Sequence, residues 1–317
     1  MNNFPSVLES IKDLGFQQIE GLLSLAAKFK IRELESPPFI KKRPIIATSF
    51  LENSTRTKHS FAIAIQRLGC MYIDFNADTS SLKKGESLEE TLLTLHCQGV
   101  DACIIRTSVS RELAKFKDRP PLKIINGGDG IHEHPTQALL DLMTLKELSP
   151  ELAGKTLTIL GDVVHSRVGH SLIELLPQLG IKIILCGPKQ CIPEQSDYPQ
   201  LEITTDLQSA VERSDFLYTL RIQKERHKGL DSTYYDNYHQ THGLSLARLK
   251  QLGKTDIPVL HPGPVNIGVE LSLDLIRSSN YQGYNQVENS IAMRMAIIQS
   301  LLNNNDKNVG RPHGERS

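Results

Sequence analysis

Short apolar runs alternate with amphipathic segments along almost the whole chain, and this alternation constrains the fold more than any other feature. Runs at Pro44–Ser49, Cys70–Phe75, Asp101–Ile105 and Leu122–Asn126 are followed by Leu157–Leu160, Lys182–Cys186, Leu201–Thr205, Asp215–Leu220 and Pro258–Leu260. Several are continuous, the pattern of parallel strands buried on both faces. Between them, His59–Leu68 places Phe61, Ile65 and Leu68 on one helical face and stops at Gly69. Leu88–His96 and Val168–Leu179 follow the same spacing. In Pro135–Leu148 the proline suits the first helical position, and Leu139, Leu142, Met143 and Leu145 supply the apolar stripe. Such alternation predicts α/β domains with parallel sheets. The pattern restarts after Ser149-Pro150, which predicts a domain boundary there, and the last helix spans Val287–Leu302. Residues 303–317 are polar and are expected to form a frayed tail.

At 317 residues the chain is long enough for two domains. Hydrophobic residues make up 39% of it, which excludes a disordered polypeptide. Lys and Arg total 36 and Asp and Glu total 36, so the chain lacks the positive excess of a general nucleic-acid binder. No apolar run approaches the ~18 residues that a membrane span needs. The first residues lack a basic segment followed by an apolar one, so no secretory signal is expected. The five cysteines form no C-x-x-C pair, and Cys70, Cys103 and Cys186 fall in apolar runs. Reduced structural thiols in a cytoplasmic protein are expected.

The most informative segment follows the first of these strands, where Ser54-Thr55-Arg56-Thr57 stands at a helix start. Free backbone N–H groups and the helix dipole attract anions there. Three hydroxyls add hydrogen bonds, and Arg56 adds a planar fork matched to phosphate oxygens. A helix cap needs one such residue, not four. Other cations follow strand ends: Arg106, Arg221, Arg167 in Gly161–Arg167, and His134 in Gly128–Gln137. Open α/β folds place their sites at these positions, so the four together predict a cleft for a polyanionic substrate. His132-Glu133-His134 and the pair His239 and His242 lack the spacing of usual metal sites, and no metal is expected.

Together these segments resemble the aspartate/ornithine carbamoyltransferase family. The motifs run from Phe50-Leu-Glu-Asn-Ser-Thr-Arg-Thr57 through Ser80-Ser-Leu-Lys-Lys84, Ile105-Arg106, His134-Pro-Thr-Gln137, Gly161-Asp162 with Arg167, and Leu220–Arg226 to His261-Pro-Gly-Pro264. The resemblance implies two doubly wound parallel-sheet domains joined by helices, with the C-terminal helix returning to the first. That gives residues 1–148 plus 287–317 for carbamoyl phosphate and 149–286 for aspartate. It implies that Ser54, Thr55, Arg56 and Thr57 hold the phosphate, and that Arg106, His134 and Gln137 hold the carbamoyl and phosphate oxygens. Gly263 and Pro264 lie at the carbonyl region that receives the amino groups. Arg167, Arg221, Gln223 and Lys84 bind the aspartate carboxylates. Ser80 and Lys84 enter from a neighbouring copy, so the family resemblance implies a homotrimer with shared active sites. It implies neither metal nor organic cofactor, and it admits a regulatory chain or a dihydroorotase as partner.

Thr136 resembles the aspartate branch, where the ornithine branch has Cys, and no Ser-Met-Gly segment of the ornithine type is found. A cationic pocket with Arg221 also repels an ornithine ammonium. The implied reaction is carbamoyl transfer to L-aspartate, a step of de novo pyrimidine synthesis. The alternatives are transfer to ornithine or another amino acid, and a non-catalytic phosphometabolite-binding module. One departure from the branch is Ile267, where Arg is usual. The segments Thr79–Gly85 and Leu230–His242 are expected to move when substrates bind.

Overall fold

The computed structural model describes residues 4–32, 38–39, 41–52, 54–75, 85–195, 198, 201–222, 232–304 and 309–310. Strands among them form two sheets of five, parallel throughout. The first contains β1 (Val7–Leu8), β2 (Ile45–Phe50), β3 (Met71–Phe75), β4 (Ala102–Thr107) and β5 (Lys123–Asp129) in the order β1-β5-β4-β2-β3. The second contains β6 (Thr156–Leu160), β7 (Lys182–Cys186), β8 (Leu201–Thr204), β9 (Phe216–Thr219) and β10 (Val259–Leu260) in the order β10-β9-β6-β7-β8.

The helices are α1 (Phe16–Lys30), α2 (Thr55–Arg67), α3 (Leu88–Cys97), α4 (Pro135–Leu148), α5 (Arg167–Leu175), α6 (Leu207–Glu212), α7 (Ser232–His242), α8 (Leu246–Gln251), α9 (Leu273–Ile276) and α10 (Gly283–Leu302). None of the helices is long and apolar enough to cross a membrane, among the described residues. Parallel neighbours need crossover connections, and α2, α3 and α5 each link two strands of one sheet.

The apolar runs became strands with end shifts of a few residues. The largest shift is in β5, which continues through Asn126-Gly127-Gly128 to Asp129, polar and small residues that carry no hydrophobic signal. β1 has only two residues, too few to show a period. α2 starts at Thr55, one turn before its apolar spacing, because its first turn is polar. The segment expected as helix over Val168–Leu179 is α5 followed by a tighter 3-10 turn over Leu176–Leu179, closed by Gly180 in the left-handed region. Within Leu230–His242, residues from Ser232 onward are the helix α7.

The chain divides into two compact units, 1–143 with 287–317, and 144–286, so the division falls inside α4. In the first unit Ala47, Cys103, Ile105 and Ile124 of the sheet pack with Leu88, Leu92 and Leu95 of α3. In the second, Leu160, Ile184, Leu217 and Val259 pack with Leu207, Ala210 and Val211 of α6. The C-terminal part of α10 joins the first unit. Lys123 Nζ donates to the carbonyls of Leu302 at 3.0 Å and Asn304 at 2.6 Å, satisfying the open end of the helix. Cys70, Cys103, Cys186 and Cys191 are buried, and burial pushes the thiols of the first three up to about 12.

Candidate active site

Each sheet reverses its winding once. In the first, the chain passes from β2 to β3 on one side and then crosses to β4 on the other, so the crevice opens at the carboxyl ends of β2 and β4. Ser54–Thr57 follows β2, and Arg106 lies on β4 opposite Phe50. The two strand ends are joined by Leu51 N donating to Arg106 O at 2.8 Å. The Arg106 guanidinium donates from Nη1 to Ser54 Oγ at 3.3 Å and pairs through Nε with Glu52 at 3.3 Å. Ser54 stands at the N-cap of α2 in extended conformation, yet its side chain does not cap the helix. Among the described residues the first-turn N–H groups are therefore left for another acceptor, with Thr55 and Arg56 exposed beside them and Thr57 buried.

His134 reaches this turn from β5 by a loop that the sequence makes tight. Gly130 has φ +45°, and a Cβ there would lie 2.4 Å from Ser110 Oγ and 2.9 Å from Ser108 O, so only glycine fits. Glu133 then pins the loop: its carboxylate accepts from Ser10 Oγ at 2.5 Å and Ile11 N at 3.0 Å. His134 is buried, with Thr57 Oγ1 3.5 Å from Nε2 and Thr136 Oγ1 3.4 Å from Nδ1. Gln137, one turn into α4, donates from Nε2 to Asp141 at 2.9 Å. Asp141 in turn opposes the burial of Arg294 on α10, whose guanidinium bonds Ser60 Oγ and lies 4.8 Å from the Phe61 ring centroid. Burial and the nearby Arg106 pull the Arg294 pKa down to about 9, which leaves it charged at neutral pH.

The sequence neighbours of His134 have another task. His132 Nδ1 lies 3.0 Å from Asp129 and 3.3 Å from Glu9, and Lys117 Nζ lies 2.7 Å from Glu9. Glu9, Asp129 and His132 are grouped closely enough to hold a cation, the one such group among the described residues. Burial works against charge on Glu9, but His132 and Lys117 outweigh it and hold its carboxyl at about 2. For His132, burial likewise opposes the charged form, while Asp129 and Glu9 win and raise its pKa to about 9. A proton on His132 and the Lys117 ammonium thus already neutralise the carboxylates, and the group is a structural ion-pair network. His239 and His242 are engaged separately, Nδ1 of the first donating to Val269 O at 3.3 Å and Nε2 of the second to Thr205 O at 3.3 Å.

In the second unit the reversal lies between β6 and β9. Leu220 N donates to Leu160 O at 2.7 Å, so the chain ends of both strands leave together. Gly161, at φ +122°, permits this approach, since a Cβ would meet Leu220 O at 3.1 Å and Tyr238 Oη at 3.2 Å. Beyond β6, Asp162 is buried and lies 2.8 Å from His165 Nδ1. Arg167 opens α5, and Ser166 caps it by accepting from Gly169 N at 3.0 Å. Arg221 follows β9; both arginines are half-buried. Gly263 and Pro264, joined by a cis peptide bond, follow β10, and Gly263 N donates to His261 Nδ1 at 2.8 Å.

The expected residues stand at or beyond strand ends in both units. Ser54, Thr55, Arg56, Thr57, Arg106, His134 and Gln137 lie in the first unit, and Arg167, Arg221, Gly263 and Pro264 in the second. Ser80, Lys84 and Gln223 lie outside the described residues. Ile267 is exposed, at 59% of its surface. Glu52, Asp141 and Arg294 support these residues without having been expected. Glu52 stands inside the Phe50–Thr57 motif and had a local signal; the other two are single charges in apolar helix segments, visible only through their distant partners.

The aspartate/ornithine carbamoyltransferase carbamoyl-P binding domain matches residues 7–147, and the Asp/Orn binding domain of the same family matches 153–301. The chain therefore belongs to the aspartate/ornithine carbamoyltransferase family. It is 40% identical over 302 residues to the aspartate carbamoyltransferase catalytic subunit of Solibacter usitatus, covering 94% of this chain and 99% of that protein. The corresponding subunit of Campylobacter fetus subsp. fetus is 40% identical over 308 residues, covering 95% and 97%. Among solved structures, aspartate transcarbamoylase from Trypanosoma cruzi in complex with carbamoyl phosphate superposes with a TM-score of 0.83 at 29% identity, covering 94% of this chain and 96% of that one. The catalytic subunit of M. Jannaschii aspartate transcarbamoylase gives 0.82 at 29% identity, covering 95% and 99%.

Proposed function

We propose that this chain catalyses transfer of the carbamoyl group of carbamoyl phosphate to the amine of L-aspartate, giving N-carbamoyl-L-aspartate and phosphate, a step of de novo pyrimidine synthesis. One observation carries the reading. The α2 N-terminus keeps its N–H groups uncapped while Arg106 and His134 reach the same turn. The names of the relatives agree with it.

The phosphate sits on the α2 N-terminus with Ser54, Thr55, Arg56 and Thr57. Arg106, His134 and Gln137 hold the carbamoyl oxygen and the bridging side of the phosphate. Arg167, Arg221 and Gln223 take the two carboxylates of aspartate, with the Gly263-Pro264 carbonyls at the amino groups. The neutral amine attacks the carbamoyl carbon. The new C–N bond forms, the C–O bond to phosphate breaks, and the departing phosphate carries off the amine proton. Donors fixed on the developing oxyanion contribute about 2.7–4 kcal/mol each. Holding two anions in contact supplies much of the remaining acceleration. The step calls on neither metal nor organic cofactor, and its soluble substrates suit a cytoplasmic enzyme.

The site is completed in a homotrimer by Ser80 and Lys84 of a neighbouring copy. The edge strand β3 supports this: it runs directly into that segment, and its Met71 and Ile73 leave 44% and 40% of their surface exposed. A regulatory chain or dihydroorotase can join such a trimer.

A colorimetric ureido assay with carbamoyl phosphate and aspartate tests the reaction; ureido product from ornithine but not aspartate reverses the acceptor assignment, and none from any amino acid removes the reading. Arg56→Ala and Lys84→Ala chains are each expected to be inactive. Mixed and allowed to exchange subunits, they regain activity if sites are shared; exchange without recovery excludes the shared site.

A further inference from the structure

We propose that Glu270 is a positioning residue for the amino-acid acceptor, tying the backbone that carries Arg221 to the loop that carries Gly263 and Pro264. The inference rests on the carbamoyl-transfer reading and adds a residue to it.

Ile222 lies past the end of β9, where the sheet no longer supplies hydrogen-bond partners, and it is fully buried. A buried peptide must find partners elsewhere. Both of its groups do so in one place. Its N–H donates to Glu270 Oε1 at 2.7 Å, and its carbonyl accepts from Asn266 Nδ2 at 3.1 Å. Asn266 is itself held by Glu270: Nδ2 donates to Oε1 at 2.7 Å and the backbone N–H to Oε2 at 2.7 Å. The carboxylate, 1% exposed, thus accepts three N–H bonds from two segments 44 residues apart in sequence.

The anchor does not drift, because the backbone of Glu270 is fixed as well. Its carbonyl accepts from Leu244 N at 2.9 Å, and Ser272 N returns to Leu244 O at 2.9 Å, closing a short parallel bridge between Leu244 and Leu271. Adjoining the clamp along the chain stand the groups proposed to meet the acceptor. Arg221 precedes Ile222 directly, and Pro264 precedes Asn266 by two residues. Position at such a site matters, since a misplacement of ~1 Å can cost about 10²-fold in rate. Glu270 itself touches no reacting atom; it fixes where the carboxylate-binding arginine and the amine-receiving carbonyls stand relative to each other.

The test is Glu270→Gln, which keeps the shape but turns an NH₂ toward N–H donors. With carbamoyl phosphate saturating, KM for aspartate is expected to rise about tenfold. With aspartate saturating, KM for carbamoyl phosphate is expected to stay within about twofold of the unmodified chain. Asn266→Ala, which removes the other half of the clamp, is expected to shift the same constant and serves in place of Glu270→Gln if that chain does not fold. Hydrogen exchange read by mass spectrometry on peptides containing Ile222 is expected to quicken in both variants. A folded variant with an unchanged KM for aspartate overturns the proposal, and so does a parallel rise in both constants, which is the signature of general loosening. The unmodified chain separates the two levels. If it transfers to another amino acid, the same constants are read for that acceptor. If it transfers to none, the reaction reading fails and this role falls with it, whereas normal turnover with an unmoved KM in the variants rejects only Glu270.

Discussion

The two helices that start at the switch points differ at one hydroxyl. α2 and α5 each follow a serine in extended conformation, and each carries an arginine in its first turn. In α5 the serine is spent on the helix: Ser166 Oγ accepts from Gly169 N at 3.0 Å. In α2 it is not, because Ser54 Oγ accepts from Arg106 instead, at 3.3 Å. One helix end is closed on itself and offers an arginine side chain; the other presents backbone N–H groups together with the arginine. The difference matches the ligands proposed for them, a phosphate that can take many donors and a carboxylate that an arginine fork alone can grip.

The support behind the two ends differs in kind. Behind α2 the support is between charges: Asp141 opposes the burial of the Arg294 guanidinium, and Glu9, Asp129, His132 and Lys117 form an ion-pair network around the loop that carries His134. Behind Arg221, one carboxylate collects backbone and amide N–H groups. Buried ion pairs are intolerant of losing one member, whereas a hydrogen-bonded clamp adjusts geometry at lower cost.

That contrast is broken or sharpened by three experiments. The largest effect is expected for Asp141→Asn, which removes the charge that opposes the burial of Arg294 and weakens the Gln137 hydrogen bond. Denaturant unfolding should show a loss of about 2–3 kcal/mol; a loss below about 0.5 kcal/mol would mean that Asp141 does not support Arg294 and the contrast fails.

An intermediate effect comes from pH. His132 has a folded pKa of about 9 against 6.5 when free, so its contribution is whole below pH 6.5 and drains away as pH rises through 9. Glu9, lowered to about 2, contributes above pH 4.5 and loses that contribution as pH falls toward 2. Asp129, Asp13, Glu133 and Lys117 face the same network, and Lys117 is also raised by its carboxylate partners, against burial, which delays its own loss to still higher pH. Thermal melts from pH 7 to pH 10 are expected to record a loss of about 1–2 kcal/mol that His132→Asn abolishes. An identical alkaline loss in that variant would locate the titrating group elsewhere.

The smallest effect compares the serines themselves. Ser166→Ala should cost about 1 kcal/mol of stability. Ser54→Ala should stay within about 0.5 kcal/mol, since no cap is lost, but should raise KM for carbamoyl phosphate. Equal stability losses would show that Ser54 caps after all.

Much of this architecture was legible along the chain. The apolar runs marked β2 to β10, and in β2, β4, β6, β7 and β9 burial on both faces left no polar alternation to confuse them. The turn proposed to bind phosphate stood out because its four polar residues are consecutive. α7 was not, since residues 232–242 lack an apolar stripe, and β1 was too short to carry any period. Ser54 looked like either a cap or a ligand, and its neighbours in sequence do not distinguish the two.

What the sequence determined by itself was local: where strands and helices fall, which cations follow strand ends, and to which family the ordered motifs belong. The first two follow from periodicity and spacing and the third from the resemblance of ordered motifs, all of them read from residues close together along the chain. Tertiary structure decided the rest, because the partners are far apart along the chain. Arg106 reaches back 52 residues to draw the Ser54 hydroxyl away from its helix, and Glu270 reaches back 48 to hold Ile222. A side chain's role in such a pair depends on which distant donor arrives, and only the folding of the sheets brings it there.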